Sequence, residues 1–306
     1  MNYKVKGYLY PCPPFDFFKS IAFLQSFKPT KGEQTYKGQR ITKAVELSTI
    51  SVVFSVYSMG SIENPKLHYE LYSDQPINNS SRLEAEDRIS FFLSLDDNLK
   101  DFYKFSKNDK IFLPIVKELY GYHQVKFLTP FENACWAVLS TRNPMGYAIN
   151  LKKQLMQSYG DKICLTDNNY YTFPSPNKFI GIEENDLNNI IKNPRKSNYL
   201  WNVIQAFNKF NEKELRSKSY QEVYKKLIGI KGIGEWSASF ILLRGLGKME
   251  KLPLNEKVLN KTLQNLYSNN KSEVNIKTIS NQYGRFVGYW AHYIRAAANI
   301  DHSINR

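Results

Sequence analysis

The residues best suited to chemistry lie between Tyr224 and Leu246. There a stretch rich in Lys and apolar residues runs into Gly229-Ile230-Lys231-Gly232-Ile233-Gly234 and then into the apolar run Trp236 to Leu246. The pattern predicts a short helix ending near Ile228, a turn with three glycines, and a second helix starting after Gly234. Glycines in such a turn admit positive φ and let another chain approach closely. A helix that starts after Gly234 presents its first amides without partners. Together with the positive end of the helix dipole they form an anion site. Lys225, Lys226 and Lys231 add charge beside it. The chemistry this implies is phosphate binding by Gly229, Gly232, Ile233 and Gly234 with Lys226 and Lys231, which grips a nucleic-acid backbone without reading bases. The plainer reading of the same residues is a helical hairpin closed by a glycine C-cap.

Other chemistry-bearing residues are sparse. Cys12, Cys135 and Cys164 are odd in number and far apart, which argues against disulfides, a zinc site or an iron–sulfur cluster. His68, His123, His292 and His302 are scattered and suggest no metal site. No cofactor is implied. Charge is more informative. Residues 191–306 hold 20 Lys and Arg against 8 Asp and Glu, which is +12 of the chain's +14. A polyanion is the usual partner of such a half, and a lysine-rich solvated surface is the bland alternative.

With 306 residues and 42% hydrophobic content, the chain is long enough for two domains and a real core. No apolar stretch reaches the ~18 residues of a membrane span, and the N-terminus lacks the features of a signal peptide. An intracellular protein, cytoplasmic or nuclear, is expected. Residues 1–85 read as β-rich: Ile50–Ser58 is dense in β-branched and aromatic residues, Leu67–Tyr72 alternates, and Lys4–Tyr10 is a third strand candidate. Asp16–Phe27 looks helical. From Ser80-Ser81, a candidate cap, the periodicity shifts to 3.6 and helices are predicted at 81–93, 98–106, 111–119, 131–142, 146–159, 185–193, 196–211, 220–228, 235–246, 256–268, 274–282 and 284–299. The fold class expected is α+β: a β-sheet domain over 1–85, then a helical domain over 86–306 with the hairpin at 224–246.

The hairpin with its flanks (Leu227 to Ala238, Leu242 to Gly247, Leu252-Pro253) resembles the helix–hairpin–helix DNA glycosylase superfamily, most of all the alkyl-base glycosylases of AlkA type. Pro130–Leu139, Tyr159-Gly160, Phe173–Pro176 and Tyr289-Trp290-Ala291 agree with it. The resemblance spans roughly 90–300. It implies an all-α helix–hairpin–helix domain behind a β-rich one. It also implies a damaged base in double-stranded DNA flipped out and its N-glycosidic bond cleaved, by a monomer, in base excision repair.

The resemblance also assigns roles. The family's catalytic Asp falls on Glu256 when counted from Trp236, or on Asn255 when counted from Pro253, so no Asp stands at either place. Asn255 would cap a helix whose first turn holds Glu256 in the ionised form that an oxocarbenium stabiliser needs. The extra methylene of Glu shifts the carboxylate, and a misplacement of about 1 Å can cost about a hundredfold in rate. Glycosylases that also nick the strand carry a Lys two residues after the last hairpin glycine. Here that residue is Trp236, which points to monofunctional hydrolysis. Trp236 and Phe240, one turn on, would line the base pocket. Arg142 or Asn143 would fill the vacated stack, and Arg295 replaces an aromatic wall residue. A monovalent cation on hairpin carbonyls is consistent with the resemblance, though no side chain argues for it. The alternative is a glycosylase-like lesion binder that cleaves poorly or not at all. A protein–protein scaffold explains neither the hairpin nor the charge.

Overall fold

The computed structural model of the chain describes residues 3–252, 257–267 and 276–304. The front half is a five-stranded antiparallel sheet. Its strands are β1 (Tyr3–Leu9), β2 (Gln34–Lys37), β3 (Arg40–Glu46), β4 (Ser51–Ser58) and β5 (Leu67–Ser73), in the order β1-β5-β4-β3-β2. The alternation of β4 and β5 directs Val52, Phe54, Val56, Tyr69 and Leu71 to one buried face. There they meet α1 (Phe17–Ser26), capped by Asp16, and α2 (Asn79–Leu93). The cap of α2 is Asn78, whose side chain accepts the Ser81 amide, rather than the Ser80-Ser81 pair. The boundary expected at 85/86 falls inside α2. Ala85, Ile89, Phe92 and Leu93 all pack under the sheet, so the apolar stripe carries the front core eight residues further.

The helical half comprises α3 (Lys100–Ser106), α4 (Leu113–Glu118), α5 (Pro130–Ser140), α6 (Met145–Tyr159), a two-stranded hairpin of β6 (Lys162–Leu165) and β7 (Asn168–Tyr171), and α7 (Glu184–Ile191). It continues with α8 (Pro194–Phe207), α9 (Glu212–Ser217), α10 (Tyr220–Ile228), α11 (Glu235–Leu246), α12 (Lys257–Tyr267), α13 (Ile276–Asn281) and α14 (Val287–Ile304). The β6–β7 hairpin packs Ile163 and Tyr170 onto Ala44 and Val53 of the outer sheet face. Two helical cores result. One joins α5, α6, α8, α10 and α11; the other joins α3, α4, α12 and α14 around Phe102, Tyr283 and Trp290. Helix α11 lies close on α5 because Gly245 faces it: a Cβ there would sit 2.9 Å from Asn133 Oδ1.

A buried ion cluster ties the halves together. Lys152 of α6 lies between Glu33 of the front half at 2.5 Å and Glu132 of α5 at 2.6 Å, and Lys43 of β3 holds the other Glu33 oxygen at 2.6 Å. Burial alone would raise the Glu33 pKa; the two ammonium groups outweigh it and hold the carboxyl below its ordinary value. Among the described residues no helix is long and apolar enough to cross a membrane. Nor does any group of three or more His, Cys, Asp and Glu among them suit a metal ion.

Candidate nucleic-acid interface

Helix α10 starts from a capping box between Ser219 and Glu222 and ends at Gly229, which keeps right-handed φ of −67°. Ile230 and Ile233 are buried in the core below and anchor the turn, leaving Lys231 exposed between them. Of the three hairpin glycines only Gly232 takes positive φ, at 101°. A Cβ there would also lie 2.5 Å from the Tyr199 ring, so packing as well as backbone conformation requires glycine. Gly234, with φ −90° and extended ψ, is the N-cap of α11. A Cβ on Gly234 meets nothing within 4 Å, so the space before the first turn of α11 is open.

Two expectations about this turn change. The Ile233 amide is not offered outward, because it donates to the Ile230 carbonyl at 3.0 Å to close the turn. The start of α11 has no side-chain cap, so its first-turn amides are left without a side-chain partner. Lys226 is turned toward α9, 3.7 Å from Glu214 and over the Phe210 ring. Lys225 and Lys231 are exposed at the turn.

In the first two turns of α11 the rings of Trp236 and Phe240 stack at 5.2 Å with an interplanar angle of 8°, both half-buried. Phe240 meets Phe127 edge-on, Phe127 meets Phe27, and Phe27 stacks on Phe23. Phe23 meets His292 of α14, which also lies against Tyr122. A run of packed rings, an aromatic wall in which Phe127 and His292 are buried, thus extends from the hairpin to the last helix. Two of its members, Phe23 and Phe27, come from α1 in the front half. The Arg244 guanidinium covers both, at 4.7 and 4.8 Å from their ring centroids. Arg295, half-buried on α14, lies at the far end. Burial, then the charges of Arg244 and Arg295, push the His292 imidazolium well below its ordinary pKa. Sequence spacing had no means of finding Phe23, Phe27 or Phe127, which reach the wall only through tertiary packing.

The loop after α5 separates its two candidates. Arg142 is exposed and holds a left-handed φ of 54°, whereas the Asn143 amide turns back to the Leu139 carbonyl at 2.8 Å. Arg142 is therefore the projecting side chain. The Lys196 ammonium of α8 reinforces the loop by donating to Leu139 at 3.3 Å and Thr141 at 2.9 Å. Arg142, Arg195, Lys196, Tyr199 and Gly232 line one cleft of about 390 Å³, so the loop and the hairpin open onto the same space. Arg195 and Lys196 carry no signal in the sequence beyond their charge. Glu256 and Asn255 lie outside the described residues; α12 begins at Lys257.

No protein-family model matches the chain. The DNA-3-methyladenine glycosylase of Bacillus subtilis is similar to it, 26% identical over 247 residues that cover 79% of this chain and 80% of that one. Among solved structures, the 3-methyladenine DNA glycosylase of Archaeoglobus fulgidus has a TM-score of 0.75 at 19% identity, covering 94% of this chain and 96% of that one. The 8-oxoguanine glycosylase/lyase of Clostridium acetobutylicum has a TM-score of 0.68 at 16% identity, covering 96% and 97%. Both carry this fold.

Proposed function

We propose that the chain is a DNA glycosylase of the helix–hairpin–helix superfamily and, within it, a monofunctional one that removes alkylated or related damaged bases from double-stranded DNA. The observation that carries this reading is Trp236. It stands where a Schiff-base Lys would stand, lies in the first turn of an uncapped helix, and stacks on Phe240. The alkylated-base preference draws on the similarity to the 3-methyladenine glycosylases.

The steps follow from these parts. A backbone phosphate docks before α11 at Gly234, with Lys231 and Lys225 adding charge. Extruding a nucleotide costs a few kcal/mol, least for a damaged base, and Arg142 fills the gap in the stack. The extruded base lies along the wall of Trp236 and Phe240, whose π-faces favour an electron-poor ring. As the N-glycosidic bond breaks, its electron pair leaves with the base and the sugar becomes positive. Glu256, ionised, stabilises that charge. Water adds its oxygen to the anomeric carbon and gives up a proton, leaving free base and an abasic site.

A second reading, a lesion binder with weak or no cleavage, is favoured by the absence of the family's Asp at residues 255 and 256. The test is release of free base from methylated duplex by the purified chain, repeated with Glu256→Gln. Release that falls about 100- to 1,000-fold in the variant supports the enzyme. Tight duplex binding without release from any lesion supports the binder.

A further inference from the structure

Among the described residues, a small apolar cluster covers one end of the outer face of the front sheet. The β6–β7 hairpin lies over Ala44, Val53 and Tyr72. Four residues along the strands, the pairing sets Tyr8, His68, Tyr57 and Arg40 in a single row across β1, β5, β4 and β3. The rings of that row touch: Tyr8 to His68 at 5.3 Å and His68 to Tyr57 at 4.9 Å, with the Arg40 guanidinium over Tyr57 at 4.5 Å. Lys66 lies 4.0 Å from the Tyr8 ring centroid and 5.9 Å from that of Tyr10. Tyr8 is 45% and Tyr10 70% exposed, whereas His68 is only 7% exposed and its Nδ1 has no hydrogen-bond partner. Beside the row, Lys4 and Arg40 both pair with Glu70 and so neutralise the carboxylate of this face. Lys6 and Lys66 add further positive charge.

Exposed tyrosines interleaved with cations on a flat sheet suit a strand whose bases are already unstacked. Each base finds a ring, and each phosphate a lysine or arginine. A duplex keeps its bases stacked inside and has no use for these ring faces. An acidic peptide would use the cations and leave the exposed tyrosines idle. We propose that this open end of the sheet binds single-stranded DNA, with bases stacking on Tyr8 and Tyr10 and phosphates meeting Lys6 and Lys66. The choice of DNA over RNA rests on the function proposed above; the surface itself does not.

The experiment measures binding of a fluorescein-labelled oligothymidylate and of an undamaged duplex to the full chain. The expected result is a loss of oligothymidylate affinity of about tenfold or more in the double variant Tyr8→Ala/Tyr10→Ala, with duplex affinity unchanged. Lys6→Ala/Lys66→Ala should weaken the salt dependence of oligothymidylate binding. Gly234→Val should do the reverse, weakening the duplex and sparing the single strand. Unchanged oligothymidylate affinity in the tyrosine variant overturns the inference, as does its loss in Gly234→Val alone. Tighter binding of oligouridylate overturns the assignment to DNA, and equal competition by polyglutamate overturns the assignment to nucleic acid. Tyrosine-dependent binding in a chain that releases no base would leave this surface standing while removing the proposed glycosylase activity.

Discussion

At the scale of single residues, Glu256 and the last two hairpin glycines carry the sharpest consequences. If Glu256 works from the place of the family's Asp, its extra methylene holds the carboxylate off the best position. Glu256→Asp should then raise single-turnover base release, by up to about a hundredfold if the misplacement is near 1 Å. A fall in the rate would show that the site has adapted to the longer side chain. Gly232 and Gly234 have different reasons to be glycine, and substitution separates them. Gly232→Ala places a Cβ in the Tyr199 ring at positive φ, so it should lower stability by about 1–3 kcal/mol in chemical denaturation. Gly234→Val meets open space in the free protein and should cost only the weaker N-cap, no more than about 1 kcal/mol, while lowering duplex affinity by crowding the phosphate. Equal effects of the two on stability would contradict that division.

At the scale of elements, the loop between α5 and α6 depends on a neighbour far away in sequence. Lys196 reaches from α8 to the carbonyls of Leu139 and Thr141, and its burial lowers the ammonium pKa. Lys196→Met keeps most of the side-chain bulk and removes both donors. Amide exchange at 141–143 should then speed up about tenfold, and duplex affinity should fall, because Arg142 loses its fixed left-handed backbone. Exchange that stays at the wild-type rate would mean Asn143 holds the loop alone. Helices α10 and α11 run over 220–228 and 235–246, as the spacing predicts, because caps and glycines adjacent in sequence define both ends. The β6–β7 hairpin had no such local marker. Its short strands, Lys162–Leu165 and Asn168–Tyr171, are stabilised by covering Ala44 and Val53 of the sheet, a contact across more than a hundred residues.

At the scale of the whole molecule, the buried cluster of Glu33, Lys43, Lys152 and Glu132 joins the two halves, so its titration is a property of their union. The Glu33 carboxyl is held below its ordinary value in the folded chain. Its contribution to stability is therefore present above that ordinary value and is lost as pH falls through the depressed one. Glu33→Gln leaves two lysines facing one carboxylate. It should destabilise the chain by about 3–5 kcal/mol at neutral pH and flatten the acid limb of the stability curve. An unchanged acid limb in denaturant titrations would place that limb elsewhere. The sequence by itself determined the α+β order, the bounds of α10 and α11, the hairpin and the absence of a Schiff-base Lys, because these rest on periodicity, caps and residue identity within a few turns; it missed α9 (Glu212–Ser217) and ran α8 four residues too far. Only the tertiary structure decided that Phe23, Phe27 and Phe127 extend the aromatic wall, that Arg142 and not Asn143 projects, and that Lys226 belongs to Glu214. The wall residues come together by packing between segments distant in the chain, whereas the Arg142 and Lys226 outcomes turn on hydrogen bonds and ion pairs that spacing alone does not fix.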